Sequence, residues 1–194
     1  MIKGSSQRHR EHEVDPQFLD RWSGRAFSGE SLSQAEMLTL FEAARWAPSS
    51  SNFQPWRFLY ARRDSEFWPA FLDLLAPGNR VWAERAGALV LVISRLQSEE
   101  QRPRITHSYD SGAAWMSLAL QASLAGIVAH GIQGFDYERA RRVLRVPAEF
   151  AVEAMIVLGK PATPEVLPED LRRRETPSDR RPLAQTICEG PFGF

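Results

Sequence analysis

Arg21-Trp22-Ser23-Gly24-Arg25 sets two guanidinium groups and a hydroxyl within five residues. In an extended or turn conformation Arg21, Ser23 and Arg25 point to one side. Paired Arg forks and a hydroxyl donor can clamp a phosphate. The plainer reading is a solvated basic stretch. A second cluster runs from Pro48 to Pro55 through Ser49, Ser50, Ser51, Asn52 and Gln54. Asn and Gln side chains each offer a donor and an acceptor. That suits a ligand with alternating donors and acceptors, such as a flavin ring and its ribityl chain, although a loop of no function is equally polar. The third cluster is Arg180-Arg181 ahead of Pro182. It reads either as further arginines on one phosphate or as a solvated tail.

Other chemistries are excluded or poorly supported. No two glycines stand two apart, which removes the dinucleotide fingerprint, and no glycine precedes Gly159-Lys160 at the spacing of a phosphate-binding loop. Serine never occurs in Gly-x-Ser-x-Gly. One cysteine, Cys188, excludes an intramolecular disulfide, a redox pair and a cysteine-rich zinc site. His9 and His12 are three apart in a polar segment, and two ligands do not make a metal site. His107 and His130 read as capping or packing residues. No nucleophile–base pair stands out, so we assign no catalytic residue and no metal.

Composition is ordinary for a soluble globular protein. The chain has 194 residues, 43% hydrophobic and 25% charged, with 24 basic and 24 acidic side chains. That balance gives no case for nucleic acid or a membrane surface. Apart from Lys3 and Lys160 the basic residues are all Arg, a bias that a GC-rich genome explains equally well. The longest apolar run, Ala86 to Ile93, is far short of the roughly 20 residues of a spanning helix. With no apolar core near the start, no signal peptide is visible. Together with the lone cysteine this predicts a cytoplasmic protein.

The elements that must position these clusters follow from local patterns. Ser33-Gln34-Ala35-Glu36 is a capping box and opens a helix over 34–46, which must stop before Pro48. Trp56 to Ala61 reads as a strand and Ser65 to Leu75 as a helix ended by Pro77-Gly78. Ala88 to Ile93 is a strand buried on both faces. Ser111 to Ala125 carries no charge in fifteen residues and reads as a central helix with Gly126 as its stop. Ile127–Ile132 and Ala154–Leu158 are strands, with a helix from Asp136 to Arg145 between them. Residues 1–14 are polar and expected to be flexible. Residues 15–194 form one domain mixing helices and strands, and from Pro161 a Pro- and charge-rich tail wraps something.

Taken together, Arg-x-Ser-x-Arg, then Pro-Ser-Ser-x-Asn-x-Gln-Pro-Trp, then Gly-x-x-Gly-Phe and a basic pair before proline resemble the FMN-dependent nitroreductase family. The resemblance runs from about Arg21 to about Ile187. It implies an α+β homodimer with a central mixed or antiparallel sheet flanked by helices, a tail wrapping the partner, and FMN at the subunit interface. It implies a phosphate site at Arg21, Ser23, Arg25 and Arg180, with Arg181 beside it and backbone contacts at Trp22. Pro48, Ser49, Ser50 and Asn52 match a loop that reaches the partner's flavin. Asn79, Gln133 and Gly134 match positions facing the flavin ring. Ser178 and Trp82 depart from the pattern, standing where many or some members carry Lys. The implied reaction has two steps: NAD(P)H reduces FMN, then a nitroaromatic, quinone or similar acceptor is reduced. Flavin destructase, dehalogenase or azoline oxidase chemistry on the same fold, or flavin binding without catalysis, are the alternatives.

Overall fold

The uninterrupted apolar run becomes β2 (Ala88–Arg95), in which seven of eight residues are buried. In the computed structural model, which describes residues 3–193, β2 sits inside a four-stranded sheet. β1 (Trp56–Arg62) pairs with one edge of it and β4 (Phe150–Gly159) with the other, and β3 (Val128–Ile132) lies outside β4. All three pairings are antiparallel, which narrows the expected mixed or antiparallel sheet to the second.

The two-residue period of the strands divides the core in two. Leu89, Leu91 and Ile93 face one side with Met155 and Val157. There they meet Phe71 of α3 (Trp68–Leu72), Trp82 of α4 (Pro77–Ala83) and Ala140 of α6 (Tyr137–Val143). Ala88, Val90 and Val92 face the other side with Ile156 and Leu158. That face is covered by Met37 and Leu40 of α2 (Gln34–Arg45) and by Leu118 and Ala119 of α5 (His107–Leu124). Each fully buried Leu, Ile or Val contributes roughly 1.5–3 kcal/mol. A strand buried on both faces is therefore the most stabilising segment for its length.

Local signals set the element ends. The Ser33–Glu36 capping box forms in full, and α2 stops at Arg45. Gly126 adopts φ +71° just past α5, the left-handed stop that glycine accepts without penalty. The expected helix over 65–75 is instead the short α3, and Pro77-Gly78 does not end a helix but begins one, α4. Proline at the first helical position loses no hydrogen bond, because that N–H has no partner anyway. The five-residue α1 (Pro16–Asp20), capped by the Asp15 side chain, also escaped the sequence pattern.

Two close approaches bring the Arg21–Arg25 segment to the sheet. Ser28 N donates to Lys160 O and Ala162 N donates to Ala26 O, so residues 26–28 run antiparallel to the exit of β4. Phe27 lies over Gly159, where a Cβ would stand 2.7 Å from the Phe27 ring. Met1 and Ile2 of the expected flexible segment and Phe194 at the chain end lie outside the described residues. Residues 3–14 are largely exposed, but Gly4 is buried and Arg8 is half-buried. The tail places α7 (Glu169–Arg172) after β4 and then lies beside the start of the chain: Arg8 Nε donates to Ser178 O at 2.9 Å. Among the described residues no helix is long and apolar enough to cross a membrane.

Candidate functional site

Arg21 ends α1 with extended torsions, and Arg21, Ser23 and Arg25 all line one cavity, as same-side presentation required. Arg21 Nη1 reaches Ser23 Oγ at 3.4 Å. The tail brings Arg174, Ser178 and Arg180 against this segment, and the N-terminal stretch adds Arg8. Between them lies a cavity of about 230 Å³, with Trp22 and His130 in its wall. Five guanidinium groups thus line one small pocket. Of these five, among the described residues, only Arg25 has a carboxylate within 4 Å, at 3.9 Å from Glu175.

That surplus shows in the electrostatics. Burial holds the Arg21 pKa below its ordinary value, and Arg180 pushes it further down. Arg8 is lowered by burial and then by Arg180 and Arg21, with Asp179 acting the other way. Like charges gathered with little counter-charge oppose one another. An anion in the cavity would remove that repulsion.

Glu175 holds the backbone of the Arg21–Arg25 segment. Its carboxylate is only 5% exposed, and Oε1 accepts hydrogen bonds from the backbone N–H groups of Arg25 and Ala26. Oε2 is buried without a hydrogen bond among the described residues. This one side chain joins the tail to the Arg21–Arg25 segment across 150 residues. Nothing in the Arg172–Arg174 run ahead of it signalled that role.

His130, on β3, forms the wall opposite. Its Nδ1–H donates to Gly24 O at 3.1 Å, and its ring lies 4.8 Å from that of Trp82. Burial is the main reason that its pKa falls from 6.5 to about 4, with Arg25 and Arg21 adding to the fall. The unfolded chain therefore takes up this proton near pH 6.5 and the folded one only near pH 4. Stability present above pH 6.5 should drain away as the pH falls towards 4, by on the order of 2–3 kcal/mol. Thermal unfolding across that range should show His130→Gln with a flatter acid limb than wild type. Parallel limbs would assign the acid sensitivity elsewhere.

β3 links the pocket to the second group of expected residues. At about 3.3 Å per residue, Gly134 stands roughly 13 Å along the chain from His130. Asn79, from the first turn of α4, donates to Gly134 O at 3.0 Å. The contact is close: a Cβ on Gly134 would lie 2.4 Å from Asn79 Nδ2. Gln133 beside them is exposed.

Other expected residues lie apart. Pro48, Ser49, Ser50 and Asn52 do not line the arginine pocket. Their loop is held by Ser49 Oγ accepting from Gln54 N and by Ser50 N donating to Asp110. Ser51, Asn52 and Gln54 all have φ near +50°, a conformation that costs non-glycine residues energy and gathers at ligand sites. Arg181 lines a different cleft, beside His9 to Val14. Trp82, at 2% exposed, stacks on Phe27 in the core. Arg8, Arg174 and His130 join the pocket without having been singled out.

Among the described residues no relay of nucleophile and base competes with this site. Ser94 Oγ lies 2.7 Å from His107 Nδ1, but Ser94 is fully buried and also bonds Glu153, whose carboxylate accepts from Ser108 as well. These groups close the start of α5. Among the described residues no three potential ligands gather to hold a metal.

The profile of the Nitroreductase family matches residues 19–160. This chain belongs to the nitroreductase family. A crystal structure described as an oxidoreductase containing FMN superimposes with a TM-score of 0.94 at 49% identity, covering 99% of each chain. A protein of Desulfovibrio desulfuricans, named as a nitroreductase in complex with FMN, gives 0.70 at 28% identity, over 91% of this chain and 96% of that one. A Thermus thermophilus protein named NADH dehydrogenase is 25% identical over 198 residues, 87% of this chain and 92% of its own length. The nitroreductase chain is thus an α+β protein of oxidoreductase lineage with an antiparallel sheet flanked by helices.

Proposed function

We propose that this nitroreductase-family chain is a cytoplasmic, FMN-dependent oxidoreductase that uses NAD(P)H to reduce small acceptors such as nitroaromatics or quinones. The observation that carries the reading is the arginine pocket, whose guanidinium groups face a cavity with almost no carboxylate to neutralise them. A phosphomonoester fits that donor set in charge and geometry. The FMN named for two similar structures supports the choice of anion.

Arg21, Ser23, Arg25 and Arg180 would hold the phosphate, with Trp22 beside them. Asn79 on α4 and Gln133 and Gly134 just past β3 would face the ring. The Asn79 amide is already oriented by Gly134 O, which fixes which of its atoms is left to meet a ligand. When bound, FMN supplies the redox chemistry, taking electrons from NAD(P)H and passing them to the acceptor. The chain's own work is to bind, orient and shield; no side chain needs to act as acid or base.

We further propose a homodimer in which Pro48, Ser49, Ser50 and Asn52 reach the partner's flavin and the tail wraps the partner. Apolar side chains left open on α2, just past its end and on α5 support it: Leu38, Trp46 and Met116.

With dioxygen excluded, purified protein loaded with FMN should oxidise NADH or NADPH beyond one equivalent per flavin only when a quinone or nitroaromatic is present. Flavin-loaded protein inert towards both nucleotides with every acceptor would leave a flavin-binding protein without this activity.

A further inference from the structure

The pocket has a third side that the Arg-x-Ser-x-Arg segment and the tail do not supply. Arg8 comes from the polar stretch ahead of α1. Its Nη1 donates to Leu19 O and to Arg21 O, both at 2.7 Å, and its Nε donates to Ser178 O. One guanidinium thus fastens the segment carrying Arg21 to the tail carrying Arg180. Among the described residues its Nη2 is the nitrogen left uncommitted to a carbonyl, and the side chain lines the cavity.

The residues around Arg8 hold the same stretch in place. Gly4 is buried with its backbone against Leu19, and a Cβ there would stand 1.9 Å from Leu19 O. His9 Nδ1 lies 2.9 Å from Asp179 Oδ2, and Leu183 N donates to the Glu11 carboxylate at 3.2 Å. Residues 8–11 therefore lie along residues 178–183, and Gly4 lies against α1. Docking them brings a further positive charge to Arg21 and Arg180, which opposes the docking until an anion is present.

We propose that Arg8 is a positioning residue of the anion pocket, which closes the site over a flavin phosphate by joining its two arginine-bearing segments and adding its own charge. Docking of residues 4–11 and binding of the phosphate then strengthen each other, as any two linked equilibria must. The inference rests on the phosphate reading of the pocket given above.

Affinities for FMN and for riboflavin, which lacks the phosphate, separate this role from a merely structural one. Arg8→Ala should bind FMN about tenfold or more weakly and riboflavin as wild type does. Gly4→Ala keeps every guanidinium but cannot dock the stretch, and should show the same pattern in milder form. Amide exchange within residues 4–11 of wild type should slow when FMN or inorganic phosphate is added. Equal FMN affinity in wild type and Arg8→Ala overturns the proposal alone. An Arg8→Ala variant losing both flavins equally also overturns it, since the effect would then be structural. Wild type that binds neither flavin nor phosphate overturns the pocket reading and this inference together.

Discussion

Arg21→Ala should bind FMN roughly 10- to 150-fold more weakly than wild type, whereas Arg62→Ala should bind it unchanged. A charge-assisted hydrogen bond to phosphate contributes about 1.5–3 kcal/mol, which sets that range. Arg62 ends β1 and pairs with Asp64 at 3.5 Å, a partly exposed contact that contributes little. The flavin-free protein supplies a second readout. Arg21 is crowded by Arg180 and Arg8, so removing it relieves repulsion. The apoprotein of Arg21→Ala should be no less stable than wild type, and its melting temperature should stay level or rise. Loss of affinity with retained stability marks a residue kept for its ligand. Isothermal titration with FMN beside thermal unfolding of the apoprotein measures both. Equal affinities of the two variants would refute the phosphate assignment.

Met116→Glu should separate the subunits and release flavin together. Met116 is 38% exposed on the outer face of α5, in line with Tyr109 and Gly112 at helical spacing. A carboxylate buried there without a partner costs several kcal/mol, enough to weaken a dimer at least a hundredfold. If Ser49, Ser50 and Asn52 complete the partner's site, bound flavin must fall with dimer content by mass action. Sedimentation at several concentrations, read beside flavin absorbance, checks the linkage. A Met116→Glu monomer that keeps FMN at wild-type affinity would show that one chain builds the whole site. Ala119 is no substitute for this test. It is 1% exposed and packs inside its own chain, so a charge there would break the core first.

Features encoded within a few residues were legible in the sequence. The capping box at Ser33, the doubly buried β2 and the glycine stop after α5 are each decided by neighbours, and each formed as read. The same holds for Arg21, Ser23 and Arg25, whose side-by-side presentation needs only an extended chain. Arg180 was placed by resemblance, and the tail does carry it to the same cavity. What escaped depends on contacts far apart in the chain. Arg8 meets Ser178 across 170 residues and Glu175 meets Arg25 across 150, and no local pattern announces either. Proline misled at α4, because it can open a helix as readily as it follows one. Trp82 stood out in the sequence only as a departure from the family pattern. Its stacking on Phe27 beneath His130 shows it instead as the packing that holds the pocket wall. The loop from Pro48 to Asn52 carries positive φ angles that polar composition alone does not reveal.

The identity of the flavin carried by the purified protein bears most directly on the arginine pocket as a phosphate site. Denaturation of the yellow protein and chromatography of what it releases should yield FMN, about one per chain, with no FAD. A colourless protein that FMN cannot reconstitute, or one that releases FAD, would contradict the account.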